Sequence, residues 1–389
     1  MAQRVSRPPG RRAAWALVDL EAISHNLRTI LDHVGAGRRV IAVVKANAYG
    51  HGAVPVARRL ESEGVGMLGV AFPEEGLELR QAGIRAPILV LGASSPDQIP
   101  SMLAASLTPT IYSMAFLEAL LASAAPAPST PILFHLKVDT GMGRLGILPE
   151  QVQEALSRIS ARPGRVSLQG LFTTLSCSDD PADPHTRAQL ETFGGILERT
   201  RAAGLPPAHV HAANSGGVID HPLSWLDTVR PGIMLYGIHP SASSSRLDLR
   251  PALSWHASIV MLKTVPAGAP LGYGRSFVAT RVSRIATVPV GYADGLSRSV
   301  ASVGHALVRG SRAPYAGRIS MDHAMLDVTD VDDAQEGDEV ALLGRQGDNT
   351  ISAEMMAGWA GTIAYEVLSR IGHRVLRLHT SATDQEESL

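Results

Sequence analysis

Through its first 240 residues the chain repeats one pattern. A short apolar run is followed by a segment whose apolar side chains recur every third or fourth position. The runs fall near 40–44, 67–71, 88–91, 107–111, 132–138, 167–173, 209–213 and 228–234. Between them, helical spacing is clear at 54–62, at 74–82 with Gly83 as a stop, and at 149–160. Ahead of the first run, Ile23, Leu27, Ile30 and Leu31 give the same spacing over 21–33. Strands alternating with helices imply right-handed βαβ units, and eight of them within about 200 residues predict a closed (β/α)8 barrel. The Ala/Pro-rich stretch 122–131 reads as a loop.

The texture changes at the serine-rich patch 241–245. Beyond it, alternating runs at 258–265, 284–290, 305–308, 324–328 and 339–343, separated by Gly, Pro and Asp, predict a mainly antiparallel β domain with one late helix over 352–370. The expected division is a flexible basic arm at 1–12, the barrel at 13–243 and the β domain at 244–389. A chain of 389 residues also exceeds one ordinary core, which makes two domains the prior.

Composition narrows the function classes. A formal net charge of -1 gives no reason to expect nucleic acid or an anionic membrane as partner. The single cysteine, Cys177, excludes an internal disulfide and fits a reducing compartment. The arginine-rich start leads to no long apolar segment, and no apolar run is long enough to span a membrane. The expected location is the cytoplasm.

The barrel pattern says where to look for chemistry, because reactive residues belong at the carboxyl ends of the strands. The first apolar run ends at Lys45 and continues Ala46-Asn47-Ala48-Tyr49-Gly50-His51-Gly52. A lysine there is either a snorkelling cap or an amine whose lowered pKa suits Schiff-base chemistry. With only three lysines (Lys45, Lys137, Lys263) against 32 arginines, positive charge does not require lysine here. Lys137 and Arg144 flank the fifth run, Thr173 and Thr174 close the sixth, Asn214 and Ser215 close the seventh, and Arg230 lies on the eighth. The Gly-rich string Asp139-Thr140-Gly141-Met142-Gly143-Arg144 suits an anion or a plain turn, with Lys137 pairing Asp139. Asn214-Ser215-Gly216-Gly217 suits a phosphate or a simple helix cap, and Arg230 by itself suits a buried ion pair.

The lysine stretch resembles the pyridoxal-phosphate segment of bacterial alanine racemases nearly residue for residue, and matching motifs run from 15 to 377. The resemblance implies pyridoxal 5'-phosphate as cofactor, no metal, and racemisation of alanine by two bases, Lys45 on one face and Tyr273 on the other. Tyr273 lies in Leu271-Gly272-Tyr273-Gly274-Arg275, and Met321 lies in Gly317-Arg318-Ile319-Ser320-Met321-Asp322. Both would be contributed across a homodimer interface, Met321 toward the substrate carboxylate. Cofactor contacts fall on Lys45, Tyr49, Arg144, Asn214, Ser215, Arg230, Gly232, Ile233 and Tyr365. Arg144 also serves substrate, and Lys137 is a candidate for carbamylation. Arginine facing the ring nitrogen cannot give up its proton, which favours return of a proton to Cα over transamination. The implied role is D-alanine supply for peptidoglycan.

One motif departs from the family. Phe172-Thr173-Thr174-Leu175 has Thr174 where a histidine is usual, and a threonine cannot carry positive charge. Gly272 and His379 are milder departures. The alternatives are a serine-preferring or broader amino-acid racemase, and a pyridoxal-phosphate-binding protein with weak turnover. A fold-related decarboxylase fits less well, because it uses a cysteine near the carboxyl end and Cys177 lies in the barrel.

Overall fold

A computed structural model describes residues 10–124, 130–241 and 247–380. The expected division at 243/244, most of the arm at 1–12 and the centre of the 122–131 stretch lie outside the described residues. The chain divides into two compact units, one of residues 22–48 and 53–250, the other of 1–21, 49–52 and 251–389.

The first unit is a parallel barrel with helices between its strands. The strands are Arg39–Val43, Met67–Val70, Ile88–Val90, a split fourth strand, Ile132–Lys137, Val166–Phe172, His209–His211 and Thr228–Val229. The first three are buried and almost wholly apolar, as expected when both faces are covered, whereas later ones bury polar side chains too, among them His135, Lys137 and His211. The fourth strand is split by Pro109. Leu107 and Thr108 pair with Ile88 and Leu89, whereas Thr110 and Ile111 pair with His135 and Leu136. Pro109 has no N–H, yet its carbonyl still accepts from the His135 amide at 3.0 Å, so the wall is not interrupted. The ring closes where Thr228 and Val229 pair with Arg39 and Val40, and where the Arg230 amide donates to the Ala213 carbonyl at 2.9 Å.

Helices form where the spacing predicts them. Leu20–Val34 buries Ile23, Leu27, Ile30 and Val34. Met114–Ser123 is capped by Ser113, whose side chain accepts from the Phe116 amide. Pro73–Gln81 opens on a proline, and Glu75 folds back to accept from the amides of Ala71 and Phe72. A continuous core runs through Ile111, Phe116, Leu120, Phe134, Leu136, Leu156, Leu171 and Phe193. Each such side chain contributes about 1.5–3 kcal/mol on burial.

The second unit is mainly antiparallel. Its larger sheet has the order Ser311–Pro314, His305–Val308, Glu339–Gln346, Leu253–Ser258, Ala14–Asp19, Leu376–Thr380, with Asn349–Ile351 on Glu339–Gln346. A smaller sheet joins Met261–Val265, Ser283–Val288 and Ala324–Asp327. Two details differ from expectation. The run 258–265 breaks at Ile259 and Val260, whose amides donate to the Asp338 and Thr287 carbonyls, so Ser258 ends a strand of the larger sheet and Met261–Val265 lies in the smaller one. The late helix is two, Ala353–Ala360 and Ala364–Ser369, because Gly361 adopts a left-handed C-cap (φ 69°). The strand Ala14–Asp19, which falls within the 13–243 segment, pairs with Leu253–Ser258 and Leu376–Thr380 of this sheet.

Candidate active site

Lys45 follows directly on the strand Arg39–Val43, after Val44, whose amide is held by the Gly69 carbonyl. The next four residues, Ala46, Asn47, Ala48 and Tyr49, all have φ between 53° and 54°, one turn of left-handed helix in L-residues. Each costs about 1–2 kcal/mol, so the turn exists only because its surroundings hold it. In the barrel unit, the Ala46 amide donates to Glu75 Oε1 at 2.6 Å, Ala48 N to the Val44 carbonyl at 2.9 Å, and Ala53 N to Asn47 Oδ1 at 2.8 Å. Tyr236 Oη donates to the Val43 carbonyl at 2.9 Å and fixes the end of the strand. Neither the left-handed turn nor the part played by Glu75 was legible in the motif.

Four cations gather at the carboxyl end of this barrel: Lys45, Lys137, Arg144 and Arg230. Burial pulls the Lys45 amine below the ordinary lysine value, Arg144 and Arg230 add to this, and Glu75 opposes it. Lys137 is buried and falls to about 8, through burial first and then the charges of Arg230 and Arg144. Its ammonium lies 5.5 Å from the Phe172 ring centroid and has no ion pair among the described residues. The alternative partner, Asp139, is occupied: its Oδ1 accepts from the amides of Gly141, Met142 and Gly143, shaping the loop that carries Arg144. Burial works to raise the Asp139 pKa, and these amides outweigh it.

Arg230 is buried, and its guanidinium is oriented by the Thr173 carbonyl (2.7 Å), the Ala212 carbonyl (3.0 Å) and His211 Nδ1 (2.7 Å). Burial lowers it to about 9, which leaves it a cation at neutral pH. Since arginine only donates, His211 Nδ1 is the acceptor and its Nε2–H donates to His135 Nδ1 at 2.8 Å. Both rings are neutral: burial takes His135 to about 3 and His211 well below its usual value. Gly170 makes room for His135, since a Cβ there would lie 2.4 Å from its Nδ1. These histidines were missed by sequence reasoning, although two histidines inside buried strands are a signal of their own.

Other residues singled out by sequence are placed as follows. Asn214 caps the helix Ser215–Asp220 through Gly217 N and also accepts from Ser178 Oγ at 2.6 Å, so its side chain is a brace. Ser215 Oγ accepts from the Gly232 amide at 3.0 Å, which links two of the expected cofactor contacts, and Ile233 is buried beside them. Thr174 is half-buried, and its hydroxyl makes no hydrogen bond among the described residues.

The second unit carries the tyrosines. Tyr49 and Tyr365 have ring centroids 6.2 Å apart. Gly50 beside them needs its glycine, because a Cβ would stand 2.2 Å from the Leu368 carbonyl. Tyr273 is 72% exposed, on the rim of a cavity of about 400 Å³ lined also by Gly272, Thr287, Arg318, Ser320 and His323. Met321 is 52% exposed, and its loop is held from behind by hydrogen bonds from Tyr292 N and Ala293 N to the Ser320 and Met321 carbonyls. Among the described residues no group of three His, Cys, Asp or Glu side chains could hold a metal, and no helix is long and apolar enough to cross a membrane.

A parallel barrel with a cluster of cations at the carboxyl ends of its strands has the layout of a barrel enzyme that takes an anionic ligand. The chain belongs to the alanine racemase family: the family's N-terminal domain matches residues 18–240 and its C-terminal domain residues 252–379. The alanine racemase of Sorangium cellulosum is 45% identical over 95% of this chain and 99% of its own length, and that of Symbiobacterium thermophilum 43% over 96% and 99%. The Bacillus anthracis alanine racemase solved with bound L-Ala-P superposes with a TM-score of 0.89 at 34% identity, covering 96% of this chain and 97% of that one. The alanine racemase of a D-cycloserine-producing Streptomyces lavendulae gives 0.89 at 35%, covering 98% and 99%.

Proposed function

We propose that this chain interconverts L- and D-alanine, using pyridoxal 5'-phosphate attached at Lys45. The observation that carries the reading is the cationic cluster at the carboxyl end of the barrel, with Lys45 and Lys137 both pulled toward their neutral forms. Phosphate, phenolate and carboxylate oxygens are the ligand groups that such a cationic donor set accepts. The donor set therefore fits the cofactor and an amino acid together. Ser215 and the backbone at Asn214, Gly232 and Ile233 would hold its phosphate. Arg144 would face the phenolic oxygen and the substrate carboxylate, and Arg230 the ring nitrogen. Once bound, the cofactor supplies the electron withdrawal that acidifies the Cα–H bond.

The chain's own residues do the rest. Neutral Lys45 takes a proton from Cα, or returns one, on one face of the substrate. Tyr273 from a second copy of the chain does the same on the other face, which accords with its exposure on its own unit. Met321 of that copy receives the substrate carboxylate. Arg230 donates a hydrogen bond and keeps its proton, which steers the reaction back to Cα. Lys137, near 8, has a neutral fraction available for carbamylation, and a carbamate there would turn a repulsive neighbour of Arg144 into an attractive one. In this reading the protein is a cytoplasmic homodimer supplying D-alanine to peptidoglycan.

The test is α-proton exchange in D2O on both enantiomers of alanine and serine, with optical rotation followed in parallel. Exchange with inversion on alanine is the expected result. Inversion only on serine would move the substrate assignment, and bound cofactor without any exchange would overturn the enzymatic reading.

A further inference from the structure

Gln189 lies in the helix His185–Ala202, belongs to none of the sequence motifs and is fully buried. Its carboxamide makes four hydrogen bonds. Oε1 accepts from Ser176 N at 2.9 Å and Ser176 Oγ at 3.2 Å, and Nε2 donates to the Thr174 carbonyl at 3.0 Å and Thr140 Oγ1 at 3.3 Å. This uses both donor hydrogens and both acceptor positions of the amide. Thr140 lies in the loop that carries Arg144, and Thr173 to Ser176 follow the sixth strand, so one side chain joins the loop of Arg144 to the segment whose Thr173 carbonyl holds Arg230. The hydrogen bonding continues: Thr140 Oγ1 is 2.7 Å from Thr173 Oγ1, and the Thr173 carbonyl accepts from Arg230 Nη2 at 2.7 Å. The start of the same helix bears on the first loop, with His185 Nε2 3.2 Å from the Gly141 carbonyl.

We propose that Gln189 is a positioning residue for racemisation: it locks the loops after the fifth and sixth strands together and, through Thr140 and Thr173, sets the plane of the Arg230 guanidinium. The inference rests on the reading of the site given under the proposed function. It accounts for how the sixth-strand loop keeps its geometry around Thr174, whose own hydroxyl holds nothing among the described residues: the loop is fixed through its backbone. Only a neutral amide satisfies all the partners. A carboxylate cannot donate to the Thr174 carbonyl, and an aliphatic side chain leaves that carbonyl and the Ser176 amide buried without partners.

The experiment compares the full-length holoenzyme with Gln189→Glu, Thr140→Val and the double variant. It reads kcat and KM for alanine in both directions, the visible absorption band of the bound cofactor, and thermal unfolding. Gln189→Glu is expected to lower kcat about tenfold or more while KM changes less than about twofold, the signature of a displaced group with substrate binding intact. Thr140→Val keeps the side-chain shape and should lower kcat in the same sense with an unchanged Tm. Both variants should shift the cofactor band, which a purely structural role would leave in place. The double variant should be no worse than Gln189→Glu, since both act on one path. Unchanged kcat and band in Thr140→Val, or losses that multiply in the double variant, would overturn the proposal. If the unsubstituted protein fails to racemise alanine, the functional reading falls and this one with it. If it racemises and the variants match it, only the positioning role falls.

Discussion

At the scale of single residues, the candidate site pulls its lysines toward their neutral forms and orients Arg230 with neutral acceptors. Lys45 is drawn toward its neutral form by burial and by Arg144, so replacing it with arginine keeps charge and length while removing the amine that can act. Lys45→Arg should retain a native unfolding profile, lose borohydride-trappable cofactor and lose racemisation. The neutral histidine pair makes a different prediction. His135 has a folded-state pKa of about 3 against about 6.5 in the unfolded chain, so below 6.5 the unfolded state binds the extra proton. Its contribution is fully present above pH 6.5 and is lost as pH falls toward 3, by about 1.4 kcal/mol per pH unit for each proton taken up. Denaturant unfolding between pH 7 and 5 should show this loss, and His135→Gln should have a shallower acid slope even if it is less stable at pH 7.

At the scale of elements, the chemistry depends on local backbone that strong propensities would not choose. The left-handed turn after Lys45 is anchored by Glu75, which also closes the start of its own helix at Ala71 and Phe72. Glu75→Ala leaves these amides without their acceptor and should cost about 1–3 kcal/mol. The loss should fall more heavily on kcat than on Tm, because the turn that orients Lys45 is the part released. Activity and calorimetry on the same preparation would separate the two. Asp294 plays a comparable part in the β unit. Fully buried, it receives Arg12 through both oxygens, accepts from its own Gly291 amide, and lies 3.2 Å from Arg374, which in turn grips Asp322 beside Met321. Removing a buried carboxylate from between two guanidinium groups is expected to cost about 3–5 kcal/mol. Asp294→Ala should therefore lower Tm markedly and expose the chain near Arg12 to limited proteolysis. The outer part of the expected arm at 1–12 lies outside the described residues, but Arg12 itself is an anchored residue.

At the scale of the whole molecule, much of the architecture was legible because both units are built from repeating periods. Most barrel strands are largely apolar and are followed by polar, chemistry-bearing residues, so Lys45, Thr173 and Asn214 marked strand ends, whereas Arg230 falls inside the run 228–234 and only the structure places it just past the strand Thr228–Val229. Features depending on tertiary partners were hidden. Ala14–Asp19 runs straight into the helix Leu20–Val34 with no turn between, so no punctuation marks it as a strand. Leu376–Thr380 is half-exposed along its whole length and offers little contrast between its faces. Gln189, His211 and Glu75 owe their importance to groups 13 or more residues away for the first, 19 for the second and 29 for the third, which no local window holds. The exposure of Tyr273 yields the prediction at this scale. If each site draws Lys45 from one copy and Tyr273 from another, Lys45→Ala and Tyr273→Phe should each be inactive alone. Mixing the two under conditions of subunit exchange should restore activity, whereas a mixture that stays inactive would place both bases in one copy.

The sheet position of Ala14–Asp19 also bears on how the protein is made. This strand leaves the ribosome well ahead of its two neighbours, Leu253–Ser258 and Leu376–Thr380. At translation rates of about 5–20 residues per second, it waits on the order of ten seconds or more for the first neighbour and longer for the second. Through that interval a buried, apolar β segment has both edges unsatisfied while the barrel that follows it can already close. If the barrel closes first, the strand Ala14–Asp19 waits with its pairing groups exposed. Termination before Leu253 would leave the segment with neither neighbour, and termination between Ser258 and Leu376 with only one.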